Sequence, residues 1–89
     1  MKHIRIRITG RFQGVGFRFS AVEAAYRHDI KGFVKNNPDQ TVQIEAEGDD
    51  ARLKRFVDWC RKGPPGAVVT NIEISEGTVS GFTGFGIER

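Results

Sequence analysis

The spacing of apolar residues alternates along this chain between two residues and three or four residues, and this alternation constrains the fold more than any other feature. Ile4, Ile6 and Ile8 alternate with polar residues, which predicts a strand with one buried face. From about residue 17 to residue 28 the spacing is that of an amphipathic helix. The predicted buried face of this helix consists of Phe19, Val22, Ala25 and Tyr26.

The same change of spacing occurs again in the second half of the chain. Residues 32–36 and 41–47 predict two strands joined by a turn at 37–40, where Pro38 and Asp39 are typical turn formers. A second helix follows, with Asp49 or Asp50 as its N-cap. Residues 68–74 predict a fourth strand, 76–84 a glycine-rich loop and 85–87 a short last strand. The apolar stripe of the second helix consists of Leu53, Phe56, Val57 and Cys60.

The predicted order is β-α-β-β-α-β with a possible short strand at the end. In a chain of 89 residues this order leaves room for one domain, spanning residues 1–89. The order is typical of the ferredoxin-like sandwich, an α+β fold with two helices on one face of an antiparallel sheet. The other face can contact solvent. We therefore expect Glu45 and Glu47 on a solvated strand face and His3 at the surface.

Three glycines, Gly10, Gly14 and Gly16, lie within seven residues between the first strand and the first helix. Glycine loses entropy on folding and adds no packing, so the backbone itself must require it. One interpretation is an anion site, in which the amides of residues 13–17 and the Arg18 guanidinium converge on one point. The other is a strand-to-helix turn that needs glycine for its geometry. Spacing alone leaves both open.

Other kinds of site find little support in the sequence. The glycine segment lacks both the Lys-Ser/Thr ending of the nucleotide-hydrolase loop and the third glycine of a dinucleotide-binding loop. Cys60 lies on a helical apolar stripe, so we expect it in the core. His3 and His28 have no partner at metal-ligand spacing, and no metal site is predicted.

Composition and charge limit the possible partners and compartments. The formal charge of +3 is compatible with an anionic ligand, but no block of Lys or Arg indicates nucleic acid. No apolar run is long enough to span a bilayer, and the first ten residues alternate charge with isoleucine, unlike an export signal. The single cysteine excludes an internal disulfide. We expect a cytoplasmic protein without a membrane partner.

Two spaced motifs resemble the signatures of the acylphosphatase family. The first is GRFQGVGFR at residues 10–18, and the second is GFVKN at residues 32–36. The resemblance extends to residues 63–65, GPP, and to residues 84–85, GF, so it covers nearly the whole chain. It implies the same ferredoxin-like fold that the hydrophobic pattern predicts.

The resemblance also implies an activity and a set of residues. It implies an enzyme that hydrolyses small acyl phosphates to a carboxylate and inorganic phosphate, without a metal, a cofactor or a covalent intermediate. By motif, Arg18 binds the phosphate and Asn36 positions the water, so these are the predicted catalytic residues. The predicted substrate-binding residues are Gln13, Gly14, Val15, Gly16, Phe17 and Arg18. We expect a monomer, the default for so small an enzyme.

The chemistry of this reaction is compatible with so small a set of residues. The leaving carboxylate is a weak base, because carboxylic acids have pKa values near 4, and it can depart without a general acid. Phosphoryl transfer depends mainly on positioning and charge stabilisation. The amide of Asn36 can accept a hydrogen bond from water and donate another, which suits orientation. The water's proton can then go to a phosphate oxygen.

One position departs from the family pattern. Gln40 stands where the second signature usually has glycine, four residues after Asn36. That glycine is expected to have a positive φ in the hairpin. A glutamine in the same conformation costs on the order of 1 kcal/mol, unless the turn has a different shape.

Two alternatives to an active hydrolase remain. The RNA-recognition fold has the same element order, but it stacks bases on aromatic residues of its central strands, and residues 3–9 and 41–47 contain none. We therefore expect no nucleic-acid partner. The second alternative is a related domain that binds anions without turnover, or one that serves a larger carbamoyl-phosphate-using enzyme. The presence of both Arg18 and Asn36 favours activity.

Overall fold

The elements follow the predicted order. The computed structural model describes residues 1–12 and 15–88. Its elements are β1 (Lys2–Arg11), α1 (Phe17–Arg27), β2 (Lys31–Asn36), β3 (Val42–Gly48), α2 (Asp50–Lys62), β4 (Val68–Gly77) and β5 (Phe85–Ile87). β4 continues to Gly77, into the segment that we predicted as a loop, and the short last strand is confirmed.

The strands form one five-stranded sheet in the order β4-β1-β3-β2-β5. β1 is antiparallel to both β3 and β4, and β2 is antiparallel to β3. β5 is parallel to β2 and makes the sheet a mixed one. The predicted ferredoxin-like arrangement, with α1 and α2 packed on one face, is confirmed, and β5 adds a parallel strand at one edge.

The core lies between the helices and one face of the sheet. Ile6 of β1 is fully buried and pairs with Ile44 of β3 on one side and Ile74 of β4 on the other. The predicted apolar stripe of α2 is buried throughout, and Cys60 lies in the core as expected. Burial raises the pKa of the Cys60 thiol far above its ordinary value, so this thiol is not a nucleophile. Neither of the two helices in the described part has the length and apolar character needed to cross a membrane.

The predicted buried face of α1 was wrong for its two largest members. Phe19 is 69% exposed and Tyr26 is 63% exposed. Ala25 is buried as predicted, and the other buried residues of the helix are Phe17, Ala21 and Ala24. Both sets have helical spacing, so periodicity could not separate them. Alanine contributes little apolar area, but its small side chain fits between a helix and a sheet, and Ala21, Ala24 and Ala25 are all fully buried.

The outer face of the sheet, away from the helices, is partly covered. Because β4 and β5 lie at opposite edges, residues 78–84 must cross the sheet between them, and we call this segment the strap. Glu47 of β3 is fully buried and accepts hydrogen bonds from the backbone N–H groups of Ser80, Gly81 and Phe82, at 2.5, 3.0 and 3.2 Å. One buried carboxylate therefore binds the middle of the strap.

A second buried carboxylate completes a polar cluster under the strap. His3 Nδ1 lies 2.7 Å from Glu47 Oε2, and His3 Nε2 lies 2.6 Å from Glu45 Oε1. Arg5 and Gln43 also donate to Glu45, at 2.7 and 2.8 Å. The expectation of a solvated face was therefore wrong for Glu45 and Glu47, and His3 is buried rather than at the surface. Period-two alternation places these residues on one face, but it does not show that a later segment covers that face.

The cluster shifts the titration of its members. Burial alone would raise the pKa values of both carboxyls, but the donors around them lower those values below the ordinary range. Burial alone would lower the pKa of His3, but its bonds to Glu47 and Glu45 raise that pKa above its ordinary value. The three side chains therefore favour their charged forms together. We name them the outer-face cluster: His3, Glu45 and Glu47.

Candidate active site

The candidate site lies at the edge of the sheet where β1 and β2 end. Both strands are antiparallel to β3, so their carboxyl ends meet at the same edge, where β3 begins. Arg11 is the last residue of β1, Asn36 the last of β2 and Val42 the first of β3. Helix α1 begins at the same edge, because it follows β1 after a short connection. The topology thus brings together residues from four elements.

A groove of about 720 Å³ opens at this edge. Its described lining consists of Gly10, Arg11, Phe12, Gly16, Phe17, Arg18, Phe19, Asn36, Asn37, Gln40, Val42 and Gly66. Among these residues the only charged side chains are the two arginines, and none is His, Cys, Asp or Glu. The chemistry of this lining suits an anion that is held by cations, amides and backbone.

A smaller side cavity of about 480 Å³ adjoins the groove. It shares Arg18, Phe19 and Asn36 with the groove and adds Ile87 and Glu88 from the end of β5. Glu88 is held at this place by its backbone, because its N–H donates to the Val34 oxygen at 2.8 Å. The side cavity therefore has a carboxylate beside Arg18, whereas the described lining of the groove has two arginines and no carboxylate.

The first turn of α1 is built to leave amides available. Its N-cap is Gly16, which has φ 64° and ψ 40° and no side-chain capping bond, and the first turn contains no acidic residue. A left-handed conformation favours glycine, and a Cβ at this position would meet no atom within 4 Å, so conformation rather than space selects glycine here. The free amides and the helix dipole together favour an anion at this end.

Arg18 lies in that first turn and borders both the groove and the side cavity. It is half-buried. A cation at the N-terminus of a helix interacts unfavourably with the helix dipole. A bound anion would reverse this, since the guanidinium and the amides would then share one negative charge. The planar fork of arginine matches two oxygens of a phosphate.

Asn36 lies at the end of β2, and it also borders both the groove and the side cavity. It pairs with Val42 of β3, so the sheet positions its backbone. Arg18 and Asn36, which we predicted as the catalytic pair, thus come from different elements and line the same space. Both line the groove of about 720 Å³, which has the volume for a small ligand.

The predicted substrate-binding segment is placed in part. Gly16 and Phe17 line the groove, although the Phe17 ring is mostly buried and packs against Phe12 and Trp59, at 4.7 and 5.6 Å between ring centroids. Val15 is not among the residues that line the groove, and its amide donates to the Phe12 oxygen at 3.3 Å. Gln13 and Gly14 lie outside the described residues.

Gln40 has φ 70°, so the positive φ that we expected at this position is confirmed. The turn that carries it is held by side chains as well as by the backbone. Asp39 accepts from the Thr41 amide and hydroxyl, at 3.0 and 2.6 Å, and it also binds the Arg7 guanidinium. These bonds, those from Thr41 first, hold the pKa of Asp39 below its ordinary value. Gln40 itself lines the groove, next to Asn36 and Asn37.

Several residues that line the groove had no predicted role in catalysis or substrate binding: Arg11, Phe12, Phe19 and Gly66. One signal for them was the glycine before Arg11. Gly10 lies where the β1–β4 register shifts, and a Cβ there would be 2.0 Å from the Val68 oxygen. Such a close backbone approach needs glycine, and the irregularity shifts the register of the last β1–β4 pairs, Gly10 with Val69 and Arg11 with Val68, next to the site.

The comparison with known proteins identifies the family. A family model described as acylphosphatase matches residues 4–87. The chain belongs to the acylphosphatase family. An acylphosphatase of Thermotoga maritima is 46% identical over 88 residues, which cover 99% of this chain and 98% of that protein. The crystal structure of an acylphosphatase from Bacillus subtilis is 38% identical, with a TM-score of 0.96, and the match covers 100% of both chains.

A larger protein of known structure also matches over part of its length. Full-length HypF, in its phosphate- and nucleotide-bound form, is 30% identical with a TM-score of 0.91. The match covers 99% of this chain but 12% of HypF. The resemblance inferred from the two motifs is thus confirmed, and the activity that family membership supports is the hydrolysis of acyl phosphates by an acylphosphatase enzyme.

Proposed function

We propose that this chain hydrolyses small acyl phosphates with Arg18 as the phosphate-binding residue and Asn36 as the residue that orients the attacking water. The observation that carries this assignment is that Arg18 and Asn36 border both the groove and the side cavity, although they come from different elements. The open amides at the start of α1 lie at the same place. In this proposal residues 1–89 form one catalytic domain.

In the proposed reaction the substrate phosphate occupies the groove at the start of α1. Arg18 and the helix amides neutralise its oxygens, and this stabilisation increases as charge builds up in the transition state. The oxygen of the water held by Asn36 forms a new bond to phosphorus. The bond between phosphorus and the bridging oxygen breaks, and its electron pair leaves with the carboxylate.

The water's proton goes to a phosphate oxygen in this scheme. Asn36 is too weak a base to accept it, so the amide acts by orientation. The groove lining described above offers no carboxylate or imidazole for the task. The products are a free carboxylate and inorganic phosphate, and no group of the protein changes its covalent state.

We further propose a monomeric cytoplasmic enzyme without a nucleic-acid partner. A base-stacking surface would need exposed aromatic rings on β1 and β3, and the outer face of these strands carries the outer-face cluster together with Arg5, Arg7 and Gln43. The two buried carboxylates at the centre of that face would repel the phosphates of a nucleic-acid backbone. This supports an assignment to small-molecule chemistry.

The test is hydrolysis of benzoyl phosphate in the presence of EDTA by the parent and by Arg18→Ala and Asn36→Ala. We expect turnover by the parent and losses of at least about a hundredfold in kcat/KM in both variants. Circular dichroism checks that both remain folded, and Arg27→Ala, at the opposite end of α1, is the matched control for removing a cation.

Each outcome has a distinct meaning. Full activity in a folded Asn36→Ala enzyme would exclude the proposed role of the amide, and full activity in Arg18→Ala would exclude the phosphate-binding role. A folded parent without turnover would indicate a domain that binds anions without hydrolysing acyl phosphates. The shape of the turn that carries Gln40 would then be the first explanation to test.

A further inference from the structure

The groove has two distinguishable ends. At this edge of the sheet the strands follow in the order β1, β3, β2 and β5. Asn36 therefore lies toward β5, whereas Arg11 and Phe12 lie toward β1, with Val42 of β3 between them. Gly66, from the connection between α2 and β4, lies on the same side as Arg11, because Arg11 pairs with Val68, two residues after Gly66. A ligand that fills the groove extends from the Asn36 side to the Arg11 side.

The direction of attack places the water at one end of the groove and the leaving acyl group at the other. In phosphoryl transfer the attacking and leaving oxygens lie roughly in line, on opposite sides of phosphorus. If Asn36 holds the water, as in the proposed function on which this inference rests, the acyl group leaves on the side away from Asn36. That side is the one lined by Arg11, Phe12 and Gly66.

The charge of Arg11 is not used elsewhere in the described part of the chain. Arg5 and Arg7, on the same strand, bind Glu45 and Asp39. Arg11 is exposed and forms no ion pair with another described residue. An arginine that lines a ligand groove without a protein carboxylate is available to a negative charge of the ligand.

The opposite end adds a carboxylate beside Arg18. Glu88 borders the side cavity next to Asn36, and this carboxylate repels an anionic group on the water side. A substrate with a negative charge at each end is thus oriented by both groups. Its phosphate lies at the start of α1, and its second anionic group points toward Arg11.

We propose that Arg11 is a specificity-determining residue that favours acyl phosphates whose acyl group carries a second negative charge, such as a terminal carboxylate. Phe12 and Gly66 form the uncharged wall beside it. The acyl chain must be long enough to bring its terminal charge from the bridging oxygen to the guanidinium, and an uncharged acyl group gains nothing from Arg11.

The experiment compares two substrates of equal chain length, succinyl phosphate and butyryl phosphate, which differ in the terminal carboxylate. The readout is the ratio of their kcat/KM values in one enzyme preparation, so that effects on the common phosphate cancel. We expect Arg11→Gln to lower the succinyl-to-butyryl ratio about fivefold, as the loss of one exposed ion pair allows, and Arg11→Glu to lower it further.

Two controls separate this effect from a general change of charge. Arg11→Lys keeps the cation and should retain most of the ratio. Arg27→Gln removes an exposed arginine at the other end of α1, outside the groove, and should leave the ratio as in the parent. An unchanged ratio in Arg11→Gln, with hydrolysis intact, overturns the specificity role but leaves the proposed function standing.

A binding measurement makes the inference testable even if the proposed hydrolysis fails. Phosphonobutyrate and butylphosphonate are matched anions that differ in the same terminal carboxylate and are not hydrolysed. We expect phosphonobutyrate to bind the parent more tightly by calorimetry, with the difference lost in Arg11→Gln. Equal affinities in the parent overturn the inference, and a parent that binds both but hydrolyses no acyl phosphate overturns only the proposed function.

Discussion

The groove and the outer-face cluster both concentrate charge, but they treat it in opposite ways. In the cluster, His3, Glu45 and Glu47 are buried and every carboxylate has several donors. In the groove, Arg11 and Arg18 face open space without a carboxylate partner among the described residues. Charges that are satisfied by the protein hold the fold together, whereas charges left unsatisfied are available to a ligand. The predictions below test this contrast.

The largest effect is expected from removing the carboxylate that binds the strap. Glu47→Ala leaves the buried His3 cation with one carboxylate instead of two and removes the acceptor of three strap amides, which should lower the free energy of unfolding by about 4 kcal/mol. Urea denaturation measures this change in the free energy of unfolding. Glu73→Ala removes an exposed carboxylate from the same face and should cost less than about 0.5 kcal/mol.

A milder change keeps this prediction measurable if Glu47→Ala is too unstable to purify. Glu47→Gln retains one acceptor oxygen, so we expect it to lose about half as much stability and to keep its kcat/KM per folded molecule. A Glu47→Gln protein as stable as the parent would show that the strap is held by something other than this carboxylate.

Substitutions in the groove should change the activity rather than the stability of the protein. Arg18→Lys keeps the positive charge but loses the fork, so kcat/KM for benzoyl phosphate should fall about a hundredfold. The free energy of unfolding should stay within about 0.5 kcal/mol, because Arg18 is half-buried and has no ion pair with another described residue. Retained catalytic efficiency would exclude bidentate binding of the phosphate.

The outer-face cluster also predicts how stability depends on pH. The lowered pKa values of Glu45 and Glu47 add stability above their ordinary value of 4.5, and this is lost as the pH falls through the folded values. The raised pKa of His3 adds stability below its ordinary value of 6.5, and this is lost as the pH rises through the folded value. Stability should therefore be greatest between about pH 5 and pH 6.5.

Thermal melting across this pH range tests the sign of both shifts. In His3→Gln the decline on the alkaline side should disappear, because no group of the cluster then titrates there, whereas the acid-side decline should remain. An alkaline decline of equal size in His3→Gln would assign it to another group.

The smallest effect concerns the hairpin at the edge of the groove. Gln40→Gly should raise the free energy of unfolding by about 0.5 kcal/mol, because relief of the left-handed conformation slightly exceeds the added chain entropy of glycine. Gln40→Ala keeps the unfavourable φ and should give no gain. A destabilised Gln40→Gly protein would show that the glutamine side chain itself contributes to the turn.

The parts that the sequence predicted well are those set by local spacing. The stripe on α2, from Leu53 to Cys60, has one helical face that is apolar, so its burial followed directly from periodicity. Asn36 and Arg18 could be singled out because short motifs carry them. Gln40 could be assigned a positive φ because the family pattern has glycine there, and the structure confirms that φ.

The predictions that were wrong concern features that depend on contacts between distant segments. On α1 two different faces have helical spacing, and packing against the sheet selected the one with Ala21, Ala24 and Ala25 over the one with Phe19 and Tyr26. The alternation in β1 and β3 correctly grouped the polar residues on one face. It could not predict that the strap, more than thirty residues after Glu47, would bury them.

The amino-acid sequence was sufficient for the element order, the family and the two residues proposed for catalysis, because each of these is encoded in spacing or in a short motif. Which charges are buried and which stay accessible to solvent depends on the tertiary structure alone. The reason is that a strand exposes one face to whatever crosses it later, and a groove forms only where the ends of several elements meet. Arg5 and Arg11 have the same side chain on the same strand, yet Glu45 binds the first, whereas the second lines the groove and forms no ion pair with another described residue.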